Sequence, residues 1–380
     1  MQLDENCLAK IIIMTITQKP KLRDSIHGVL KSSPCIWLFT YSIAIISAYV
    51  ASYLHFPLPW MLGPLLAIAC LCVIGVDLQA PAAGRYTGQW LIAIAIGLTF
   101  SPMVVEEIIR HLPFIVLVCV GSLLMLGFGT WFLWRIFKIP MGTAFFCAAL
   151  GGASEMTTLA DRHHQRADLV AAAHSLRLLI VLCIVPILFQ IWGTPGDFEL
   201  NTLNRSFSLH GAIILFLGTI FGVLIFRFFH LPNGFLLGPL LIVAAMATFA
   251  VELTAWPKKL SNTAQLLLGT SLGVRFTKKF IAHAKNLAVG TTLYTLICTC
   301  FSFLLAILIE HLSDLDLETL ILSNVPGGMA EMGITAKVFQ LNVPAVTIFH
   351  IFRMVFVILT AEWIFKRILV RFDRPQSKTE

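Results

Sequence analysis

Residues 150–156 read Leu-Gly-Gly-Ala-Ser-Glu-Met, and residues 326–332 read Pro-Gly-Gly-Met-Ala-Glu-Met. Each stretch lies inside an apolar part of the chain, and the second repeats the pattern of the first. Paired glycines weaken a helix, and irregular backbone at membrane depth is tolerated only where it is buried or lines a cavity. The pattern predicts a broken or re-entrant helix at each site. The alternative is a continuous helix that packs through small residues.

The composition around these stretches is that of a membrane protein. Of the 380 residues, 58% are hydrophobic and 12% are charged, whereas about a quarter are charged in soluble domains. Residues 113–134 and 286–309 contain no charge, and about 20 apolar residues suffice to cross a bilayer. We therefore expect an all-α polytopic membrane protein. Its net charge of +7 is a topology signal, and we expect no direct nucleic-acid partner.

Hydropathy predicts six apolar segments in each half of the chain. In the first half they fall at 36–54, 60–76, 88–109, 113–134, 141–158 and 167–192. In the second half they fall at 207–229, 234–251, 262–276, 286–309, 317–334 and 343–365. The predicted organisation is a basic arm (1–35), a first membrane repeat (36–192), a linker (193–206), a second membrane repeat (207–366) and a basic tail (367–380).

Motifs of the first half recur in the second half at a nearly constant spacing. Leu-Gly-Pro-Leu-Leu at 62–66 returns at 237–241. From there the spacing grows by one position and then holds for every further pair: Gln89 and Gln265, Gly97 and Gly273, Phe100 and Phe276, His174 and His350, Arg177 and Arg353. Shared apolar composition cannot place rare charged residues at one spacing, so the sequence predicts two homologous repeats of five to six transmembrane segments.

Charge distribution favours inverted repeats. The arm and the tail are both basic, so both termini should be cytoplasmic. If each Gly-Gly segment breaks or re-enters, each repeat has five crossings, and the basic loop with Lys278 and Lys279 lies inside. Six crossings would place that loop outside and the acidic loop at 310–318 inside. Lys258 and Lys259 lie outside in the inverted arrangement, which is a departure from the rule.

Charged residues inside apolar segments are the candidates for function, because such charges are costly in a membrane. Glu155 and Glu331 follow the paired glycines. His and Arg three residues apart share one helix face. Arginine suits bidentate binding of a carboxylate or phosphate, and histidine can relay a proton.

The sequence therefore predicts one midplane cavity with two sets of residues. The predicted substrate-binding residues are Arg177, Arg353, Gly151, Gly152, Gly327 and Gly328. The predicted proton-coupling residues are Glu155, Glu331, His174 and His350. An alternative interpretation is purely structural: Arg177 pairs with Glu155, and Arg353 with Glu331, to neutralise buried charge.

We expect neither a metal nor a cofactor. The two Cys-x-Cys pairs have no second pair at zinc spacing, and adjacent side chains such as His163 and His164 diverge by about 100° on a helix. No phosphate-binding Gly-x-x-x-x-Gly-Lys-Ser/Thr loop is present, so an ion gradient would supply the energy of any transport.

The duplicated Leu-Gly-Pro-Leu-Leu, Gly-Gly-x-x-Glu-Met and His-x-x-Arg motifs resemble those of the AbrB family of bacterial inner-membrane proteins. The resemblance covers roughly residues 36–367. The family carries two labels, ammonia monooxygenase and regulator of gene expression. An unrelated soluble DNA-binding regulator with a small β-rich fold shares the name. The resemblance implies a multi-pass protein of the bacterial inner membrane and carries no catalytic residues over to this chain.

Three functions can be compared with these observations. An ion-gradient-driven secondary transporter of a small organic anion or amphiphile explains the duplication, the glycines and the intramembrane charges together. An indirect regulator of gene expression is the alternative. An ammonia monooxygenase is disfavoured because fixed positive charges repel a metal cation, so we expect no enzyme. The expected partners are the bilayer and a small molecule, and the pattern is compatible with a homo-oligomer.

Overall fold

In the computed structural model the described residues are 33–102, 106, 109–192, 196, 206–249, 251, 253–277 and 285–367. They form fourteen α-helices, seven in each half of the chain. The predicted arm over 1–32, most of the linker, the basic loop at 278–284 and the tail from 368 lie outside the described residues.

The helices of the first half are α1 (Ser33–Tyr53), α2 (Pro59–Ile74), α3 (Ala82–Gly97), α4 (Leu112–Arg135), α5 (Met141–Ala148), α6 (Ala153–Arg162) and α7 (Ala167–Trp192). Those of the second half are α8 (Leu209–Phe228), α9 (Gly234–Thr248), α10 (Lys258–Gly273), α11 (Lys285–Glu310), α12 (Leu317–Asn324), α13 (Met329–Val338) and α14 (Val343–Arg367).

Six of these helices are long and apolar enough to cross a membrane: α1, α4, α7, α8, α11 and α14. Large apolar side chains are exposed on the first helix of each half, including Ile46 and Tyr53 on α1 and Phe216 and Phe221 on α8. Such an apolar surface is unfavourable in water and suits contact with lipid. The predicted all-α polytopic membrane fold is confirmed.

The predicted segments 141–158 and 317–334 are each two short helices separated by a break. The breaks cover residues 149–152 and 325–328, and the backbone there is extended, with ψ of 130° at Ala149 and 142° at Val325. The prediction of broken helices at the paired glycines is confirmed. The alternative of a continuous helix through these glycines is wrong for this structure.

The spacing of the sequence motifs recurs in the backbone. The bounds of α3, α5 and α6 return in the second half as those of α10, α12 and α13, at the same spacing as the paired glycines. Left-handed residues also recur: His55 and Leu58 match His230 and Asn233, and His164 matches Gln340. The inverted orientation of the two halves stays a prediction.

The helices pack as two bundles, and each half of the chain contributes to both. The first bundle contains α1–α3 and α8–α10, in which α2 packs on α10 and α9 packs on α3. The second bundle contains α4–α7 and α11–α14, in which α7 packs on α11 and α14 on α4. Helix α3 also contacts α13 and α14, so it joins the two bundles.

The glycine of each Leu-Gly-Pro-Leu-Leu motif allows two helices to cross closely. A Cβ atom on Gly238 would lie 2.5 Å from the carbonyl oxygen of Gly222 on α8, and one on Gly63 would lie 2.6 Å from that of Ser47 on α1. Real Cβ atoms essentially never come so near. The motif therefore fixes the contact between the first two helices of each half.

We expect Gly238→Ala to destabilise the protein, because its methyl group would force α8 and α9 apart. Overpacking of this kind typically costs about 1–3 kcal/mol. The measurement is the midpoint of thermal unfolding in detergent. Gly127→Ala is the matched control, since Gly127 on α4 has nothing within 4 Å of the added Cβ. Equal midpoints for the two variants would contradict the close crossing.

Candidate functional site

The two helix breaks meet at one cavity of about 110 Å³. All ten side chains or glycines predicted from the sequence line it: Gly151, Gly152, Glu155, His174, Arg177, Gly327, Gly328, Glu331, His350 and Arg353. The cavity is also lined by Arg85, Gln89, Ser154 and Asn233. Matching residues from the two halves of the chain are therefore brought to the same small space, as the sequence predicts.

Two helix N-termini face this cavity. Helix α6 begins after Gly152 and α13 begins after Gly328, and these glycines have no side chain that could cap the helix. In each first turn the glutamate carboxylate accepts from its own main-chain N–H, which leaves the preceding N–H groups toward the cavity. The first N–H groups of a helix lack partners within it, and its dipole places partial positive charge there. A helix N-terminus is therefore suited to binding an anion, and here two of them line the same cavity.

The Gly-Gly-x-x-Glu-Met motif is explained by contacts within itself. A Cβ atom on Gly152 would overlap the carboxylate of Glu155, which folds back toward the glycine. A Cβ atom on Gly151 would crowd the side chain of Met156, which is fully buried. The second copy shows the same contacts. Each glycine thus leaves space for one side chain of the helical turn that follows it. The glutamate carboxylate lies at the N-terminus of its helix.

Arg177 and Arg353 bind the C-terminal end of the helix that precedes each break. Nη1 of Arg177 donates to the carbonyl oxygen of Ala149 at 3.0 Å, and Nη1 of Arg353 donates to those of Asn324 at 2.7 Å and Val325 at 3.1 Å. These carbonyls end α5 and α12, where a helix has unpaired acceptors and partial negative charge. Both guanidiniums are buried, with 5% and 3% of the residue exposed.

The alternative interpretation of an ion pair within each repeat does not describe these contacts. The ion pairs among the described residues join Arg110 to Asp314, Arg166 to Asp168 and Lys366 to Glu362, all outside the cavity lining. Arg177 and Arg353 bind main-chain carbonyls instead of glutamates. Their positive charge is therefore not cancelled by a direct carboxylate partner.

The two histidines differ although their sequence positions match. Nη2 of Arg177 lies 2.7 Å from Nδ1 of His174, and Nε2 of His174 lies 3.0 Å from the carbonyl oxygen of Phe146. Because a carbonyl only accepts, Nε2 carries the hydrogen and Nδ1 accepts from the arginine. In contrast, Nδ1 of His350 donates to the carbonyl oxygen of Val346 on its own helix, at 3.0 Å.

Polar residues of the first bundle, among them Arg85 and Asn233, also line the cavity, and the sequence pattern did not assign them to it. Nη2 of Arg85 donates to Oγ of Ser154 at 2.9 Å. Asn233 precedes α9 in the left-handed conformation, with φ of 51°, and its amide lies beside Glu155. Neither residue is duplicated, because Ser261 and Leu58 occupy the matching positions. The available signal was a lone arginine just before an apolar segment.

The net charge of the cavity favours an anion. Three guanidiniums and two carboxylates line it, which gives a formal charge of +1 with neutral histidines, in addition to the two helix N-termini. Within the described ranges no three His, Cys, Asp or Glu residues are grouped as metal ligands would be. The arrangement can bind a small anion by charge and by N–H donors.

Known proteins resemble this chain over most of its length. The sequence profile of the AbrB family, described as "Transition state regulatory protein AbrB", matches residues 60–369. "Uncharacterized protein YhjN" of Bacillus subtilis (strain 168) is 24% identical over 347 residues, which are 85% of this chain and 90% of the relative. "Putative regulator AbrB" of Escherichia coli (strain K12) is 21% identical over 314 residues, 80% of this chain and 88% of the relative. This chain belongs to the AbrB family.

Proposed function

We propose that the protein is an ion-gradient-driven secondary transporter of a small organic anion, located in the bacterial inner membrane with both termini in the cytoplasm. The observation that carries the proposal is the meeting of two half-helix N-termini and three guanidiniums at one cavity. Secondary transporters commonly bind substrate where broken helices present their N-termini to an anionic group.

The size of the cavity favours a small ligand. Pockets for drug-sized molecules enclose about 300–1,000 Å³, whereas this cavity encloses about 110 Å³. This volume favours an anion of a few non-hydrogen atoms over an amphiphile with a long tail. Of the two substrate classes expected from the sequence, the small organic anion is the one we propose.

Glu155 and Glu331 are the proposed proton-coupling groups. Each occupies the third position of a helix whose N-terminus faces the cavity, and Arg85 acts electrostatically on both carboxylates. When a glutamate takes up a proton, the formal charge of the cavity rises from +1 to +2. Binding of the anion is then favoured. The affinity for the anion is higher when the proton is bound, and the affinity for the proton is higher when the anion is bound.

The position of the cavity between the two bundles suits alternating access. Arg85, Gln89 and Asn233 come from the first bundle, whereas the helix breaks and the buried arginines come from the second. Movement of one bundle against the other would separate these two sets of residues. Such rocking around a fixed site is a common mechanism in transporters built from repeats.

Regulation of gene expression stays the second candidate because one relative is named as a regulator. The described residues form membrane-type helices, so we propose that any effect on transcription is indirect and follows from transport or sensing of the anion. We assign no enzymatic reaction to the cavity, since its three guanidiniums would repel a catalytic metal cation.

Removal of a cavity guanidinium should abolish uptake. We expect Arg85→Ala and Arg353→Ala to lower the initial uptake rate by roughly 30-fold or more, because a charged donor that lines the cavity is lost. The assay uses proteoliposomes with an imposed proton gradient and a panel of ¹⁴C-labelled organic acids from glycolate to citrate. Protein-free vesicles give the passive rate.

Arg135→Ala is the matched control for these variants, because Arg135 is exposed at the end of α4 and does not line the cavity. Arg85→Ala is the more informative variant, since the Arg85 guanidinium donates to a side chain, Oγ of Ser154, and not to the carbonyls that end α5 and α12. Wild-type uptake by Arg85→Ala and Arg353→Ala would refute the proposed site, provided that both insert and unfold like the control.

Proton coupling should depend on the glutamates. We expect Glu331→Gln to lose accumulation driven by the proton gradient while retaining exchange of labelled for unlabelled anion, because glutamine keeps the shape but cannot titrate. The measurement compares gradient-driven uptake with counterflow in the same vesicles. Glu362→Gln, at a surface pair with Lys366, is the control. Gradient-driven uptake by Glu155→Gln and Glu331→Gln together would show that coupling lies elsewhere.

A further inference from the structure

His350 carries a buried nitrogen that has no hydrogen-bond partner among the described residues. The residue lines the cavity and only 3% of it is exposed. Its Nδ1 donates to the carbonyl oxygen of Val346 at 3.0 Å, so the hydrogen of the neutral ring is on Nδ1. Nε2 is therefore an acceptor, and no donor of the described chain reaches it.

The guanidiniums around His350 direct their hydrogen bonds elsewhere. Arg353, one turn along the same helix, uses Nη1 for the carbonyls of Asn324 and Val325. Arg177 binds Ala149 and His174 and keeps a buried Nε–H without an acceptor. A buried polar group without a partner is unfavourable. Two residues that line the cavity thus carry buried polar atoms without partners among the described residues: a donor, Nε of Arg177, and an acceptor, Nε2 of His350.

The matching histidine of the first half does not have an unpartnered nitrogen. His174 has both ring nitrogens engaged, by Phe146 and by Arg177, and is a positioning residue for that arginine. The two histidines occupy matching positions in the sequence, but in the structure only His350 has a ring nitrogen without a hydrogen-bond partner among the described residues.

We infer that the transported anion carries its own O–H or N–H group, which donates to Nε2 of His350. This inference rests on the proposed function and narrows its substrate class. The anionic end is held by the guanidiniums and the helix N-termini, and the donor end by His350. Hydroxy acids and monoprotonated oxyanions belong to this class, whereas simple carboxylates and sulfate do not.

Matched pairs of anions test the inference. Binding to purified protein is measured by calorimetry at about pH 8, where an ordinary histidine is neutral. The pairs are glycolate and acetate, lactate and propionate, and hydrogen phosphate and sulfate; only the first of each carries a donor. We expect the donor-bearing anion to bind about tenfold or more tightly in at least one pair, because its partner leaves Nε2 unpaired.

Variants assign the discrimination to His350. We expect His350→Phe to reduce the preference to below about threefold, and His350→Gln, which keeps an acceptor, to restore part of it. His174→Phe is the matched control: it should weaken both members of a pair through Arg177 and leave their ratio unchanged. An unchanged ratio in His350→Phe overturns the inference.

The outcomes separate this inference from the proposed function. Equal wild-type affinities within every pair overturn the inference alone, because water or a proton would then satisfy Nε2. Absence of binding by all six anions overturns the proposed anion site and the inference with it. The wild-type comparison needs no variant, so misfolding of a substituted protein cannot obscure the result.

Discussion

The rest of the structure depends on one constraint: a helix broken inside an apolar medium exposes main-chain N–H and C=O groups that must find partners. At each break, 149–152 and 325–328, the helix that ends there and the helix that begins there satisfy their main-chain groups with different partners. Carbonyls at the C-terminal ends of α5 and α12 bind Arg177 and Arg353. N–H groups at the start of α6 and α13 face the cavity, where glutamates and a bound anion can satisfy them.

This arrangement links the stability of the fold to the chemistry of the site. The same arginines that close the broken helices supply positive charge to the cavity, and the same glycines that break the helices leave room for Glu155 and Glu331. Helices from the two halves pack on each other, α2 on α10 and α3 on α9. As a result, both breaks lie next to the interface between the two bundles. In this membrane protein of the AbrB family, residues from both halves of the chain thereby line one positively charged cavity.

The motifs that match between the two halves do not make the halves equivalent in the cavity. Arg85 and Asn233 have no counterparts that carry charge or an amide, since Ser261 and Leu58 stand at the matching positions. Phe146 accepts from His174, whereas His350 turns to Val346 on its own helix. Small differences in side-chain direction therefore give one half a positioning histidine and the other half an acceptor without a partner among the described residues.

The sequence alone predicted the membrane class, the broken helices and ten residues that line one cavity, because hydropathy, paired glycines and rare charges at a constant spacing are local or periodic signals. Only the tertiary structure decided which groups contact each other: that Arg177 binds a carbonyl and not Glu155, that Arg85 and Asn233 enter from the other bundle, and that His174 and His350 differ. Hydrogen-bond partners depend on the direction of each side chain and on which distant helices pack together. The spacing of residues along the chain specifies neither of these.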